Sequence, residues 1–204
     1  MKKLYILLLL LPAFTALAQD HTLLGNKLES GGYGAPIVKL TVLDGQMAVL
    51  VGGYGGWLIN HCFLIGGGGY GLANSIEVPQ AQLDIYPSYS LPIQKIKFSY
   101  GGLFLEYIGN SSRLVHYSLS TLIGSGNIGY RYYNYYQFDP FTNSEGNFFI
   151  IEPAINIELN ITVFFRINCG VGYRFVSDIT PDSYKSIQDL NSSSISISFK
   201  FGSF

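Results

Sequence analysis

The sequence is poor in charge. Its 204 residues hold 12 Lys and Arg against 13 Asp and Glu, 12% charged in all, about half the roughly 25% of an ordinary soluble domain. A formal net charge of −1 and the lack of any basic block exclude a nucleic-acid binder. Cysteine is scarce too. Cys62 and Cys169 would allow one disulfide in an oxidising compartment, but they lie far apart in strand-like segments. Two free, buried thiols acting as small apolar groups are the expectation. His21, His61 and His116 are the only histidines, and no His/Cys/Asp/Glu group has zinc-ligand or EF-hand spacing. No metal and no other cofactor is expected. Beyond Ala18 no apolar stretch reaches 18 residues, so a spanning helix is excluded. What abounds is 16 Tyr, 14 Phe and 24 Gly in a chain that is 48% hydrophobic. That composition favours strands and tight turns and excludes disorder.

The N-terminus reads as an export signal over 1–18. Lys2 and Lys3 form a positive region, Leu4 to Leu11 an apolar one ended by Pro12, and Ala16-Leu17-Ala18 a small-x-small cleavage site. The apolar run is too short for a permanent anchor, and no Cys at the cleavage point indicates a lipoprotein. Residues 19–33 are expected as an N-terminal periplasmic segment and 34–204 as a single barrel domain.

Eight strands are predicted, over about 34–43, 46–59, 62–74, 94–108, 112–124, 147–159, 161–176 and 191–203. Alternation is cleanest near the end. Ile151, Pro153, Ile155, Ile157 and Leu159 oppose Glu152, Ala154, Asn156 and Glu158. Val163, Phe165, Ile167, Val171, Tyr173 and Phe175 oppose Arg166, Asn168 and Arg174. Ile195, Ile197, Phe199 and Phe201 oppose Ser194, Ser196, Ser198 and Lys200. The strands are long enough to cross a bilayer when tilted. Short links near Asn60-His61, Gly109-Asn110-Ser111 and Asn160 alternate with long ones near 75–93, 125–146 and 177–190. Such alternation is expected when all long loops leave one side of a membrane. Only Leu43-Asp44-Gly45 is short on the long-loop side. The fold class is therefore all-β, an eight-stranded antiparallel up-and-down transmembrane β-barrel, in contact with outer-membrane lipid and monomeric.

Cost decides which face is inside. Arg or Lys at the midplane of the lipid face costs about 2–4 kcal/mol, whereas in the lumen it can be paired. Glu152, Glu158, Arg166 and Arg174 are expected to point inwards and compensate one another across neighbouring strands six and seven. Asn156 and Asn168 would complete the hydrogen bonds. An eight-stranded interior is filled by its own side chains, so a plugged core is expected.

Glycines crowd strands two and three, at Gly52, Gly53, Gly55, Gly56, Gly66 to Gly69 and Gly71. No Gly-Lys-Ser/Thr follows, so they are not a phosphate loop. They permit strong bending instead. The segments Gly52-Gly53-Tyr54-Gly55-Gly56-Trp57-Leu58-Ile59-Asn60-His61 and Ile65 to Leu72 resemble a family of small outer-membrane β-barrel proteins of the Bacteroidota. Ile151 to Asn160, Phe165-Arg166 and Gly172-Tyr173-Arg174-Phe175 are similar to the same family, and the ending Lys200-Phe201-Gly202-Ser203-Phe204 is similar to the endings of barrels from that phylum. The resemblance implies fold and an outer-membrane location, and carries no activity. In one respect the sequence departs from such barrels. Phe204 has even parity while the apolar face of the last strand is odd, and a bulge at Gly202 would restore the phase.

Three features bear on function. His116-x-Ser118 places an imidazole and a hydroxyl on one strand face, similar to the His-x-Ser pair of outer-membrane lipid A deacylases. No carboxylate follows in that strand, and Val115, Tyr117, Leu119 and Ile123 make the opposite face apolar. A lumen histidine is the favoured reading, and the enzyme the alternative. Tyr130, Tyr132, Tyr133, Tyr135 and Tyr136 form the densest aromatic cluster. They read as an aromatic girdle with a strand extension, or as a surface platform for a glycan or a protein. The 75–93 loop, with Pro79, Pro87 and Pro92 around Tyr86 and Tyr89, would wall it. The expectation is a non-enzymatic outer-membrane protein with an envelope-structural or surface-binding role. A soluble periplasmic barrel holding an apolar ligand is the remaining alternative, and it requires an apolar lumen.

Overall fold

Residues 29–77, 93–133, 141–178 and 190–204 are described by a computed structural model of the chain. The expected export signal over 1–18, residues 19–28 and the stretches 78–92, 134–140 and 179–189 lie outside the described residues, as do Tyr86, Tyr89, Tyr135 and Tyr136.

Eight strands follow in chain order: β1 (Ser30–Leu43), β2 (Gln46–Ile59), β3 (Phe63–Leu72), β4 (Ile93–Gly109), β5 (Val115–Tyr133), β6 (Phe141–Asn160), β7 (Phe165–Asp178) and β8 (Ser192–Ser203). Each pairs antiparallel with the next, and β8 closes on β1. The result is a closed, eight-stranded, antiparallel up-and-down barrel. β1 starts at Ser30, so 30–33 belong to the barrel and not to a preceding segment.

Turn chemistry sets two of the hairpins. Asp44 (φ 51°) and Gly45 (φ 72°) both sit in the left-handed region, the two-residue geometry whose twist matches the flanking strands. Asn60 (φ 50°) and His61 (φ 55°) repeat it at the other end, closed by the Cys62 amide donating to the Ile59 carbonyl at 3.1 Å. Inside the wall, glycine is required where strands are pinched together. A Cβ on Gly102 would lie 2.6 Å from the Gly124 Cα, and one on Gly124 2.7 Å from the Gly102 Cα. A barrel this narrow needs such close backbone approach to curl.

The connection expected over 125–146 is mostly strand. β5 continues to Tyr133 and β6 begins at Phe141, with pairing that reaches Tyr132↔Phe141. Between Ile128↔Gly146 and Gly129↔Ser144 the register shifts by one, so Glu145 is an extra residue in β6. Such a bulge bends and twists a ladder where it leaves the regular wall. Among the described residues β7 pairs with β6 as far as Phe148, and residues 141–147 of β6 pair with β5.

The barrel is inside-out relative to a soluble protein. Outward positions are apolar and exposed, with Ile155 at 61%, Val171 at 58% and Ile195 at 65%. Lys39, Glu106, Glu152, Glu158, Arg166, Arg174 and Lys200 are all buried in the lumen. The interior is two-sided. Leu50, Tyr54, Leu58, Leu64, Tyr70, Phe104 and Leu122 make the β2–β5 side apolar, while β6 to β8 bring most of the polar groups. Cys62 and Cys169 are both free, as expected. Neither is buried, however: Cys62 is half-buried in the β2–β3 turn and Cys169 faces outwards on β7.

No bulge forms at Gly202. β8 holds one register on β1 from Ser194 to Ser203. The odd residues stay outside and Phe204 turns to the lumen mouth, 5.2 Å from the Tyr33 ring and 3.9 Å below the Arg166 guanidinium.

Candidate functional site

The lumen charges form two clusters at different heights. The first lies near the end that carries the short turns. Lys200 Nζ donates to both oxygens of Glu106, at 2.8 and 2.9 Å, and to Glu158 Oε1 at 2.5 Å. Tyr33 and Ser118 both donate to Glu106, the latter at 2.7 Å. Glu158 Oε2 faces His116 Nε2 at 3.3 Å and Arg166 Nη1 at 3.9 Å. Four strands supply the charged groups, and opposite charges lie against one another because a lone buried charge would be far too costly.

The second cluster lies towards the long-connection end. Lys39 Nζ donates to Glu152 Oε2 at 2.6 Å and sits 3.6 Å from the centre of the Tyr70 ring. Tyr100 donates to the same oxygen at 3.0 Å. Arg174 is held by carbonyls, donating to Leu190 at 2.8 Å and to Val42 at 3.1 Å, and it lies over the Phe98 ring. Phe98 and Phe148 stack beside it with ring centres 5.2 Å apart.

Glu152, Glu158, Arg166, Arg174, Asn156 and Asn168 are thus all in the lumen, but they do not pair as expected. Glu152 crosses to Lys39 on β1, and Arg174 binds backbone. Only Glu158 and Arg166 approach one another, loosely. Asn156 donates to Ser118 and Ser120 at 3.2 and 3.1 Å, and Asn168 lines a small void. The sequence reading missed Lys39, Glu106, Lys200 and Tyr33 as partners. Parity would have found them, since Lys200 shares the serine face of β8 and Glu106 is the lone acid on a strand of aromatics.

That void measures about 20 Å³ and is lined by Lys39, Glu152, Asn156 and the serines of β8 among others. It has room for one water, which would satisfy the unpartnered Glu152 Oε1. This void is too small and too polar for an apolar ligand. The Asn160 side chain ties the β4–β5 turn to β6 through the Ser111 and Arg113 carbonyls, at 3.0 and 2.8 Å.

His116 and Ser118 share the inner face of β5. The carboxylate that β5 lacks is supplied by its neighbour, because His116 pairs in register with Glu158 of β6. Yet the hydroxyl of Ser118 donates to Glu106 and not to the imidazole, whose Nδ1 contacts the Arg113 carbonyl at 3.1 Å. A nucleophile needs its proton aimed at the base. Here the serine proton is committed to a carboxylate that Lys200 already neutralises. Both residues are buried away from the outer face, where a lipid substrate would lie. The geometry is that of a packed ion network.

Tyr130, Tyr132 and Tyr133 are residues of β5, and their backbones pair with Ile96, Gln94 and Ile93 of β4. They belong to the part of the β5–β6 ladder that runs beyond the last described β6–β7 pair, Phe148↔Asp178.

No known family profile and no curated protein matches the sequence. Among solved structures the chain is similar to Neisserial surface protein A, with a TM-score of 0.59 at 9% identity, over 86% of this chain and 98% of that one. It is similar to the N-terminal barrel domain of OprF from Pseudomonas aeruginosa, with a TM-score of 0.52 at 8% identity over 86% and 99% of the two chains. OprG, an outer-membrane protein of the same organism, gives 0.51 at 11% identity over 87% and 97%. Identity this low speaks for the fold alone. The fold is that of an eight-stranded transmembrane barrel.

Proposed function

We propose that this protein is a non-enzymatic, monomeric outer-membrane barrel that acts in envelope structure or surface binding through its tyrosine-rich β5–β6 hairpin. One observation carries the reading. A closed wall, apolar outside and packed with apolar and ion-paired side chains inside, is continued at one end by the β5–β6 ladder, which runs on beyond the last described β6–β7 pair, Phe148↔Asp178. Closed barrels satisfy every backbone group within the wall, which is what a bilayer demands. A plugged lumen leaves the extended β5–β6 ladder, with Tyr130, Tyr132 and Tyr133, and the tyrosines Tyr135 and Tyr136 that follow in the sequence, as the part that meets a glycan or a partner protein. Tyrosine suits that task because it offers a large, rigid face with a polar tip.

The test begins with density-gradient fractionation and a denaturing gel run with and without heating. The expected result is outer-membrane recovery with heat-dependent migration. Recovery in the soluble periplasmic fraction overturns the reading. Whole cells carrying the chain, or a variant lacking 130–143, are then offered to glycan arrays and host-surface extracts. Binding that depends on the hairpin supports surface recognition, whereas equal signals leave only the structural role.

A further inference from the structure

The barrel wall begins at a fixed point on its short-turn end. Asn60 donates its amide to the Glu29 carbonyl at 2.9 Å, and its Oδ1 accepts the Glu29 amide at 3.1 Å. His61 Nε2 holds the Glu29 carboxylate at 2.5 Å. One strand away β8 ends, with Gly32 opposite Ser203. Beside this entry the mouth of the barrel is a cleft of about 430 Å³. Its apolar lining is Ile161 and Val163 of the β6–β7 turn, together with Phe204, which packs on Tyr33 of β1. Val163 is 90% exposed and Ile161 47%. Turns favour Gly, Pro, Asn, Asp and Ser, so turn chemistry does not account for a bare Ile and Val here. Lipid would pack around the outer wall, whereas the mouth opens along the barrel axis.

The chain that precedes Glu29 has the matching chemistry. Residues 19–28 carry three leucines, Leu23, Leu24 and Leu28, with Gly25 and Asn26 between them. A Gly-Asn pair flanked by apolar residues favours a reversal of the chain. Reach is sufficient. Leu24 stands five residues before Glu29, a span of up to about 17 Å at about 3.3–3.6 Å per residue. From β1 across β8 to β7 is two strand spacings, about 10 Å.

We propose that residues 19–28 of this chain fold back across the short-turn mouth and seat Leu23 and Leu24 on Ile161, Val163 and Phe204. The tether at Glu29 makes the contact intramolecular, so the leucines stand at an effective concentration that a separate partner must exceed. The same burial that drives any apolar contact then favours the docked segment over one left in water. Docking of this kind needs only the barrel topology and is independent of any ligand at the β5–β6 tyrosines.

The test uses the chain from Gln19 onward, refolded into phosphatidylcholine nanodiscs, with Cys62→Ser and Cys169→Ser as background. Val163→Cys is labelled with a charged, water-soluble maleimide, with and without Leu23→Ser/Leu24→Ser/Leu28→Ser. The expected result is labelling about tenfold or more slower in the chain that keeps its leucines. Equally fast labelling of both overturns the proposal, since Val163 is then uncovered. Equally slow labelling overturns it too, because lipid or another occupant does the covering. The pair Leu24→Cys and Val163→Cys then identifies which chain supplies the leucine. On oxidation a disulfide within one chain is required. A link between two chains, or none, rejects the assignment. Should Val163→Cys fail the heat-shift test of folding, hydrogen exchange of the chain with both native cysteines reads the same contact. Amides of 22–28 should then exchange about tenfold or more slowly than in the triple-serine variant, and equal rates overturn the docking.

Discussion

Lys200 is the residue on which most of the lower lumen depends. Its ammonium is shared by Glu106 and Glu158, and the Tyr33 ring lies 4.8 Å away. Replacing it with Met keeps the volume and removes the charge, leaving two carboxylates together in a dry interior. Breaking a buried pair in this way typically costs about 3–5 kcal/mol. Lys200→Met should therefore lower the urea midpoint of unfolding strongly in bilayer vesicles. Adding Glu106→Gln should recover part of that loss, since the like-charge conflict is then removed. If Lys200→Met unfolds at the wild-type midpoint, the network contributes nothing to stability. The mutual partners of these ions were not legible in the sequence. In a closed barrel, side chains from distant strands meet across the axis, so Glu152 finds Lys39 of β1 and not Arg174 on the adjacent strand β7. Parity reveals which residues point inwards, but it says nothing about which wall faces which.

Among the elements, β6, β7 and β8 were the ones most readable from the chain. Their inner faces are polar and their outer faces apolar, so alternation has full contrast there. β2 and β3 hid their facing, because Leu50, Leu58 and Leu64 line an apolar side of the lumen and glycines hold many of the outer positions. Both faces then look alike to any hydropathy period. The long β5–β6 hairpin was obscured for another reason. Residues 125–133 and 141–146 are polar and aromatic enough to read as loop, yet their backbones are strand. Deleting 130–143 removes ladder beyond the last described β6–β7 pair, Phe148↔Asp178. The expected outcome is a barrel that still shifts on heating and unfolds within about 1 kcal/mol of the full chain, the range typical of changes remote from the core. A variant that no longer shifts would show that the hairpin is part of the fold and not an appendage to it. At the opposite scale of size, Gly45→Ala should cost about 1 kcal/mol, because its φ of 72° suits glycine far better than alanine. Urea unfolding of that variant checks the value, and an unchanged midpoint would mean the turn relaxes freely.

For the molecule as a whole, the outward face and the lumen obey opposite rules, and this contrast can be measured. An Arg introduced at Ile155 or Ile197 would stand in the lipid-facing wall, whereas one at Ser196 would enter the polar part of the lumen. In a bilayer the first kind should cost about 2–4 kcal/mol near mid-depth and fall towards zero nearer the ends of the strands. Val171 and Ile195 are direct cross-strand partners, so they sample one depth on two strands and should give matching values. The measurement is equilibrium unfolding of each variant in phosphatidylcholine vesicles, repeated in detergent micelles. A depth-dependent penalty in vesicles that flattens in micelles is the expected signature of a spanning wall, since a micelle lets the guanidinium reach water. A uniform, small penalty in both would mean that the apolar face is covered by something other than lipid. The membrane assignment would then fail while the barrel itself stood. The Ser196→Arg variant separates this outcome from a general intolerance of bulk. Its cost comes from overpacking a void of about 20 Å³, and so it should be the same in vesicles and micelles.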